Sequence, residues 1–195
     1  MQEHFQDEYV KKAQQLGLRS RAVFKLMEIQ EKDRIIRPGM NIVDLGAAPG
    51  GWSEYARSLL AKTDKVVALD LLPIEPIAGV DFIQGDFHEQ AVFDELMRTL
   101  DGAAVDLLLS DMAPNISGNR EMDQPRSIYL GELALEAAHA FLRKGGVFLI
   151  KMFQGEGFEA YFQQVKLHFN SVAIRKPKAS RARSSEVYIL AKGFK

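Results

Sequence analysis

Short apolar runs alternate along this chain with stretches in which apolar residues recur every three or four positions. The runs at 41–45, 65–69, 81–84, 105–110, 146–150, 171–175 and 187–191 predict seven strands. Helical spacing predicts helices over 53–61, 90–100, 128–142 and 158–169, with one more over 20–30 ahead of the first strand. Phe158, Tyr161, Phe162, Val165 and Phe169 fall on one helical stripe, which marks a face turned to the core. Such alternation predicts a wound α/β sheet. The 176–185 stretch between the last two strands lacks a helical pattern. Those strands are therefore expected to be antiparallel neighbours, joined by a loop long enough to carry function.

Composition narrows the class. At 195 residues and 47% hydrophobic content, the chain suits one domain over 1–195, with 1–37 as an N-terminal extension on the core. There is no cysteine, which excludes disulfides and thiolate metal sites. His4, His88, His139 and His168 are dispersed, so no metal site is expected. No apolar run approaches the roughly 20 residues that span a bilayer, and the Met1–Phe5 start does not read as a signal peptide. A cytoplasmic monomer without membrane contact is the expectation. The net charge of −1 conceals an asymmetry: residues 1–40 sum to +2, 41–165 to −10 and 166–195 to +7. Basic ends around an acidic middle suit a polyanionic partner, although solvated basic faces would give the same sums.

The richest segment is Asp44-Leu45-Gly46-Ala47-Ala48-Pro49-Gly50-Gly51-Trp52, set between a strand and a helix. A strand, a glycine turn and a helix in that order cradle a ligand at a strand's carboxyl end. The spacing is not Gly-x-Gly-x-x-Gly, and no Gly-Lys-Ser/Thr follows to hold phosphates. A nucleoside without phosphate, S-adenosylmethionine, fits better. Asp70 ends the second strand about 20 residues on, where a carboxylate accepts from ribose hydroxyls. Asp86 follows the third strand and can accept from an adenine amino group, or serve as a solvated turn residue. Trp52 either caps the pocket or packs behind the turn, and Asp44 either orders the loop or meets the ligand's amino group.

Asp111 and Lys151 end the fourth and fifth strands, Glu186 opens the last, and Lys25 lies on the first predicted helix. A lysine finishing a buried strand needs a partner, because an unpaired buried ammonium is costly. Asp111 is a plausible one. Together with Gly17–Ala22, the glycine turn, Ser110–Asn115, Phe153–Gly157, Arg175–Pro177 and Ser180–Tyr188, these residues resemble the FtsJ/RrmJ family of RNA ribose 2′-O-methyltransferases over nearly the whole length. The bacterial ribosomal branch is the nearest in motif. Relatives often start with a basic arm that this sequence does not show, so some RNA affinity would be missing or would come from elsewhere.

The resemblance implies a Rossmann-like class I methyltransferase, with a mostly parallel seven-stranded sheet, an antiparallel last strand and helices on both faces. It implies a Lys25, Asp111, Lys151 and Glu186 tetrad, with Lys151 as general base. Cofactor contacts would fall on Asp44, Gly46, Gly50, Trp52, Asp70, Asp86 and Asp111. The implied reaction moves a methyl from S-adenosylmethionine to a uridine 2′-hydroxyl of 23S ribosomal RNA in the large subunit. An alcohol holds its proton tightly, so a positioned base typically contributes about 10²–10⁴-fold. Contacts to RNA phosphates are expected from Lys11, Lys12, Arg19 and Arg21 at one end, and from Arg175, Lys176, Lys178, Arg181 and Arg183 at the other. Transfer to tRNA, or to a base rather than a ribose, is the alternative. An oxidoreductase lacks its glycine pattern here. A noncatalytic assembly factor would not require the tetrad.

Overall fold

The structure is a computed structural model that describes residues 2–114, 120–180 and 184–195. Seven strands form one sheet: β1 (Ile42–Leu45), β2 (Val66–Asp70), β3 (Asp81–Gln84), β4 (Val105–Ser110), β5 (Leu142–Phe153), β6 (Phe169–Arg175) and β7 (Glu186–Phe194). Their order is β3-β2-β1-β4-β5-β7-β6. The first five run parallel, and β7 enters antiparallel between β5 and β6. The expected antiparallel pairing of the last two strands is present. Strand β5 starts at Leu142, four residues before the predicted run, and its pairing with β4 shifts register between Val105 and Leu107.

Six helices accompany the described sheet: α1 (Gln2–Gln15), α2 (Val23–Asp33), α3 (Gly51–Ser58), α4 (Gln90–Leu100), α5 (Arg120–Phe141) and α6 (Phe158–His168). Sequence periodicity did not point to α1, whose residues are mostly polar. It is held through Ala13 and Tyr9, which pack with Phe24 and Ala179. Helix α5 begins eight residues before the predicted 128 and carries Pro125 inside its second turn, where one helical N–H is missing. The α6 stripe points inward as expected, with Phe158, Tyr161 and Val165 buried and Phe169 following at the start of β6.

Side chains alternate across each strand and divide the core in two. Val43, Leu45, Leu108, Phe148 and Ile150 pack with α4, α5 and α6. Ile42, Leu107, Leu109, Leu149 and Tyr188 pack with Leu26 and Ile29 of α2 and Trp52 and Ala56 of α3. Register then sets the carboxyl edge. Leu45 lies opposite Ser110, Ser110 opposite Ile150, Lys151 opposite Tyr188 and Phe153 opposite Glu186. Because β7 is antiparallel, its first residues meet the last residues of the parallel strands.

Helix α2 is fastened to the β6–β7 connection by its acidic side chains. Glu28 accepts from the backbone N–H groups of Lys178 (2.6 Å) and Ala179 (2.9 Å). Asp33 accepts two bonds from the Arg175 guanidinium, each 2.7 Å. The Arg175 hydrogen bonds hold the Asp33 carboxyl below its ordinary range; burial opposes this, and the charges of Arg175, Lys192 and Lys32 reinforce it. A carboxyl depressed in this way stabilises the fold above its unfolded value near 3.8, and that contribution fades as pH falls through the lower folded value. Asp33→Asn is expected to lower stability to urea by about 2–3 kcal/mol at pH 7. The gap between variant and parent should narrow below about pH 4. A gap that stays constant down to pH 3 would contradict this role for the pair.

Candidate active site

The four residues of the expected tetrad meet at the carboxyl edge, on the face covered by α2 and α3. Parity along the strands accounts for this: Lys151 shares a face with Leu149, Glu186 with Tyr188, and Asp111 with Leu109. Lys151 donates from Nζ to the Asp111 carbonyl (2.6 Å) and lies 3.1 Å from Asp111 Oδ1. Lys25 reaches from α2 to Glu186 Oε1 at 2.7 Å. Both lysines are buried, at 9% and 7% exposure, so their charges cannot rely on solvent. Ser180 Oγ also donates to Glu186 Oε1 (2.8 Å). Burial works against a Glu186 carboxylate, yet Lys25 and the Ser180 hydroxyl hold its pKa below the ordinary value.

Tyr188 joins the two pairs. Its hydroxyl lies 3.1 Å from Asp111 Oδ1 and 3.5 Å from Glu186 Oε1. Burial drives its pKa well above normal, and the two carboxylates add to that, so the phenol keeps its proton and donates. Its ring stands 5.9 Å from Lys25 Nζ and 5.7 Å from the Trp52 ring. Sequence reasoning passed over Tyr188. The available signal was its position two residues after Glu186, on the same strand face.

The glycine turn lies beside this set. Gly46 (φ +71°) has no room for a Cβ, which would come 2.6 Å from Met112 Cγ and 3.0 Å from Met112 backbone. A Cβ at Gly50 (φ +98°) would meet Ile77 at 2.8 Å. Asp70 orders the turn by accepting from the N–H of Ala48 (2.8 Å) and of Leu72 (2.8 Å), and its oxygens keep further lone pairs. Asp86 accepts from the His88 backbone N–H (3.0 Å) and contacts the His88 ring. Despite the opposing effect of burial, these His88 bonds lower its pKa. Trp52 is 3% exposed and its indole N–H donates to the Ala22 carbonyl (2.9 Å). Of its two expected placements, the indole adopts the one behind the turn, leaving its backbone for any ligand contact.

Asp44 is fully buried. One carboxylate oxygen accepts from Ser53 Oγ (2.6 Å), while Oδ1 has no partner among the described residues. Burial pushes the Asp44 carboxyl up to about 7; the Ser53 bond opposes, and the charges of Asp111 and Asp70 add to the rise. An orphaned buried acceptor at the end of β1, next to the glycine turn, fits a ligand that brings a cation to this edge. Among the described residues, no cluster suits a metal ion.

The basic residues expected to face RNA divide into two kinds. Lys12 and Lys178 are exposed and Arg21 is half-buried; Lys11 is exposed too. Arg175 is committed to Asp33, and Lys176 Nζ donates to the carbonyls of Ser184 (2.6 Å) and Glu186. Arg19 bonds Glu54 and the carbonyls of Pro49, Glu75 and Pro76. For these three, internal acceptors occupy the donors that a phosphate would use. Arg181 and Arg183 lie outside the described residues.

Fold and site together describe an α/β protein with a glycine turn next to a buried, paired lysine–carboxylate set. Residues 18–194 match the FtsJ-like methyltransferase family, and the chain belongs to it. Members of that family depend on S-adenosylmethionine. The chain is also similar to the crystal structure of a protein from Plasmodium falciparum, provisionally described as a ribosomal RNA methyltransferase. The two share 28% identity at a TM-score of 0.79, covering 90% of this chain and 98% of the other.

The Asp44 carboxyl yields a pH prediction. Its folded pKa, near 7, exceeds the 3.8 of the free group, so its contribution to stability is present below about pH 4 and lost as pH rises through 7. Asp44→Asn stays neutral and should flatten the fall in stability between pH 5 and 8, read by urea unfolding without ligand. An equal slope in both proteins would rule out a buried carboxyl titrating there.

Proposed function

We propose that this protein transfers a methyl group from S-adenosylmethionine to the ribose 2′-hydroxyl of a uridine in 23S ribosomal RNA, on the assembled large subunit. The observation that carries this reading is the buried Lys25–Glu186 and Lys151–Asp111 pairs, joined by Tyr188 beside the glycine cradle. Family membership and the Plasmodium relative support RNA as the substrate class.

The residues divide the work. Asp70 would receive the ribose hydroxyls of the cofactor, Asp86 its adenine amino group and Asp44 its ammonium, with Gly46 and Gly50 letting Met112 and Ile77 pack close against the turn. When bound, S-adenosylmethionine supplies a methyl already activated on a positive sulfur. The weak partner is the alcohol, whose proton must leave. Asp111 engages two of the positions around Lys151 Nζ, through its carbonyl and its carboxylate. The remaining position of a neutral amine can accept the hydroxyl proton. Asp111 then stabilises the ammonium that forms. Lys25, fixed by Glu186, lends positive charge that steers the ribose. An amine substrate would need no such base, which favours ribose over base methylation. Exposed Lys12, Lys178 and the half-buried Arg21 supply phosphate contacts that fix register without reading sequence.

Single-turnover transfer from labelled cofactor to undermethylated large subunits tests the assignment. Lys151→Ala should slow transfer by about 10²–10⁴-fold while cofactor affinity changes little. Transfer at close to the normal rate would remove Lys151 from the mechanism.

A further inference from the structure

The stretch from Leu71 to Val80, between β2 and β3, folds back over the glycine turn without regular structure. It starts directly after Asp70, whose Oδ1 holds the Leu72 N–H. Two of its residues, Pro73 and Pro76, have no N–H to donate. Its Ile77 and Ile74 side chains lie against Gly50, at 2.8 and 3.6 Å from where a Cβ would stand. This stretch and the turn are therefore packed against one another, beside the Asp70 carboxylate.

Arg19 ties the two together. Its Nη1 donates to the Glu75 carbonyl (2.9 Å) and the Pro49 carbonyl (3.4 Å), and its Nη2 donates to the Pro76 carbonyl (3.0 Å). Its Nε donates to Glu54 on α3 (3.3 Å). Loop, turn and helix are thus joined by one planar fork, from a residue that precedes α2. The guanidinium suits this task because its donors point in fixed, divergent directions. A lysine could reach some of these acceptors but not all of them together.

We propose that Arg19 is a positioning residue of the cofactor cleft, holding the 71–80 wall against the Pro49–Gly50 turn, and not a contact for RNA phosphate. The proposal rests on the reading of this cleft as the S-adenosylmethionine site. Without the fork, the wall carrying Ile74 and Ile77 loses its anchor, and the cleft must be ordered when the cofactor binds. That cost appears in cofactor affinity.

Calorimetric binding of S-adenosylmethionine and salt-dependent binding of a ribosomal RNA fragment separate the roles. Arg19→Ala is expected to weaken cofactor binding by at least about tenfold while leaving the RNA salt slope unchanged. Arg19→Lys should recover part of the cofactor affinity. Ile77→Ala loosens the same wall without touching the arginine and should also weaken cofactor binding, which covers the case in which Arg19→Ala fails to fold. Unchanged cofactor affinity in Arg19→Lys and Ile77→Ala, or in Arg19→Ala, overturns the proposal. A shallower RNA salt slope in Arg19→Ala with normal cofactor affinity overturns it in favour of a phosphate contact. A parent protein that binds no S-adenosylmethionine sinks the reading of the cleft itself, and this inference with it.

Discussion

Two lysines buried at one sheet edge impose the main constraint on this molecule. Neither side chain can carry its charge alone there, because desolvation of an unpaired charge costs several kcal/mol. Each has therefore been given a carboxylate, Glu186 for Lys25 and Asp111 for Lys151. Tyr188 then bridges the carboxylates, so the pairs form one connected set. Removing Glu186 takes away the carboxylate paired with buried Lys25, and removing Asp111 the one paired with buried Lys151. The antiparallel entry of β7 is what makes the set possible, since a parallel last strand would carry Glu186 to the opposite edge.

The same need for pairing explains why α2 belongs to the site although it precedes the sheet. It supplies Lys25, and its Glu28 and Asp33 bind the segment that leads into Glu186. Helix α2, the β6–β7 connection and the start of β7 are thus held as one body. Positive charge counted along the sequence as a surface for RNA is partly internal. Arg175 and Lys176 tie this body together, and Arg19 ties the glycine turn to its neighbouring loop.

Much of this was legible in the sequence. Strand periodicity placed all seven strands, and the glycine pattern placed the turn after β1, because strands and tight turns impose local patterns. The tetrad was legible as four charged residues at strand ends and on a helix. What was not legible follows from long-range geometry. Tyr188 reads as an ordinary strand aromatic until the register sets it between Asp111 and Glu186. Helix α1 has a weak apolar face and is defined by Tyr9 and Ala13 packing on Phe24. The internal roles of Arg19 and Arg175 depend on acceptors that lie 30 to 142 residues away.

The proposed function turns on one chemical choice, an alcohol as the acceptor of the methyl group. The most direct measurement is the position of the methyl on RNA digested after reaction with undermethylated large subunits and labelled S-adenosylmethionine. The account predicts the label on the 2′-oxygen of a uridine ribose. Label on a base nitrogen or carbon, with the ribose unmodified, would contradict it.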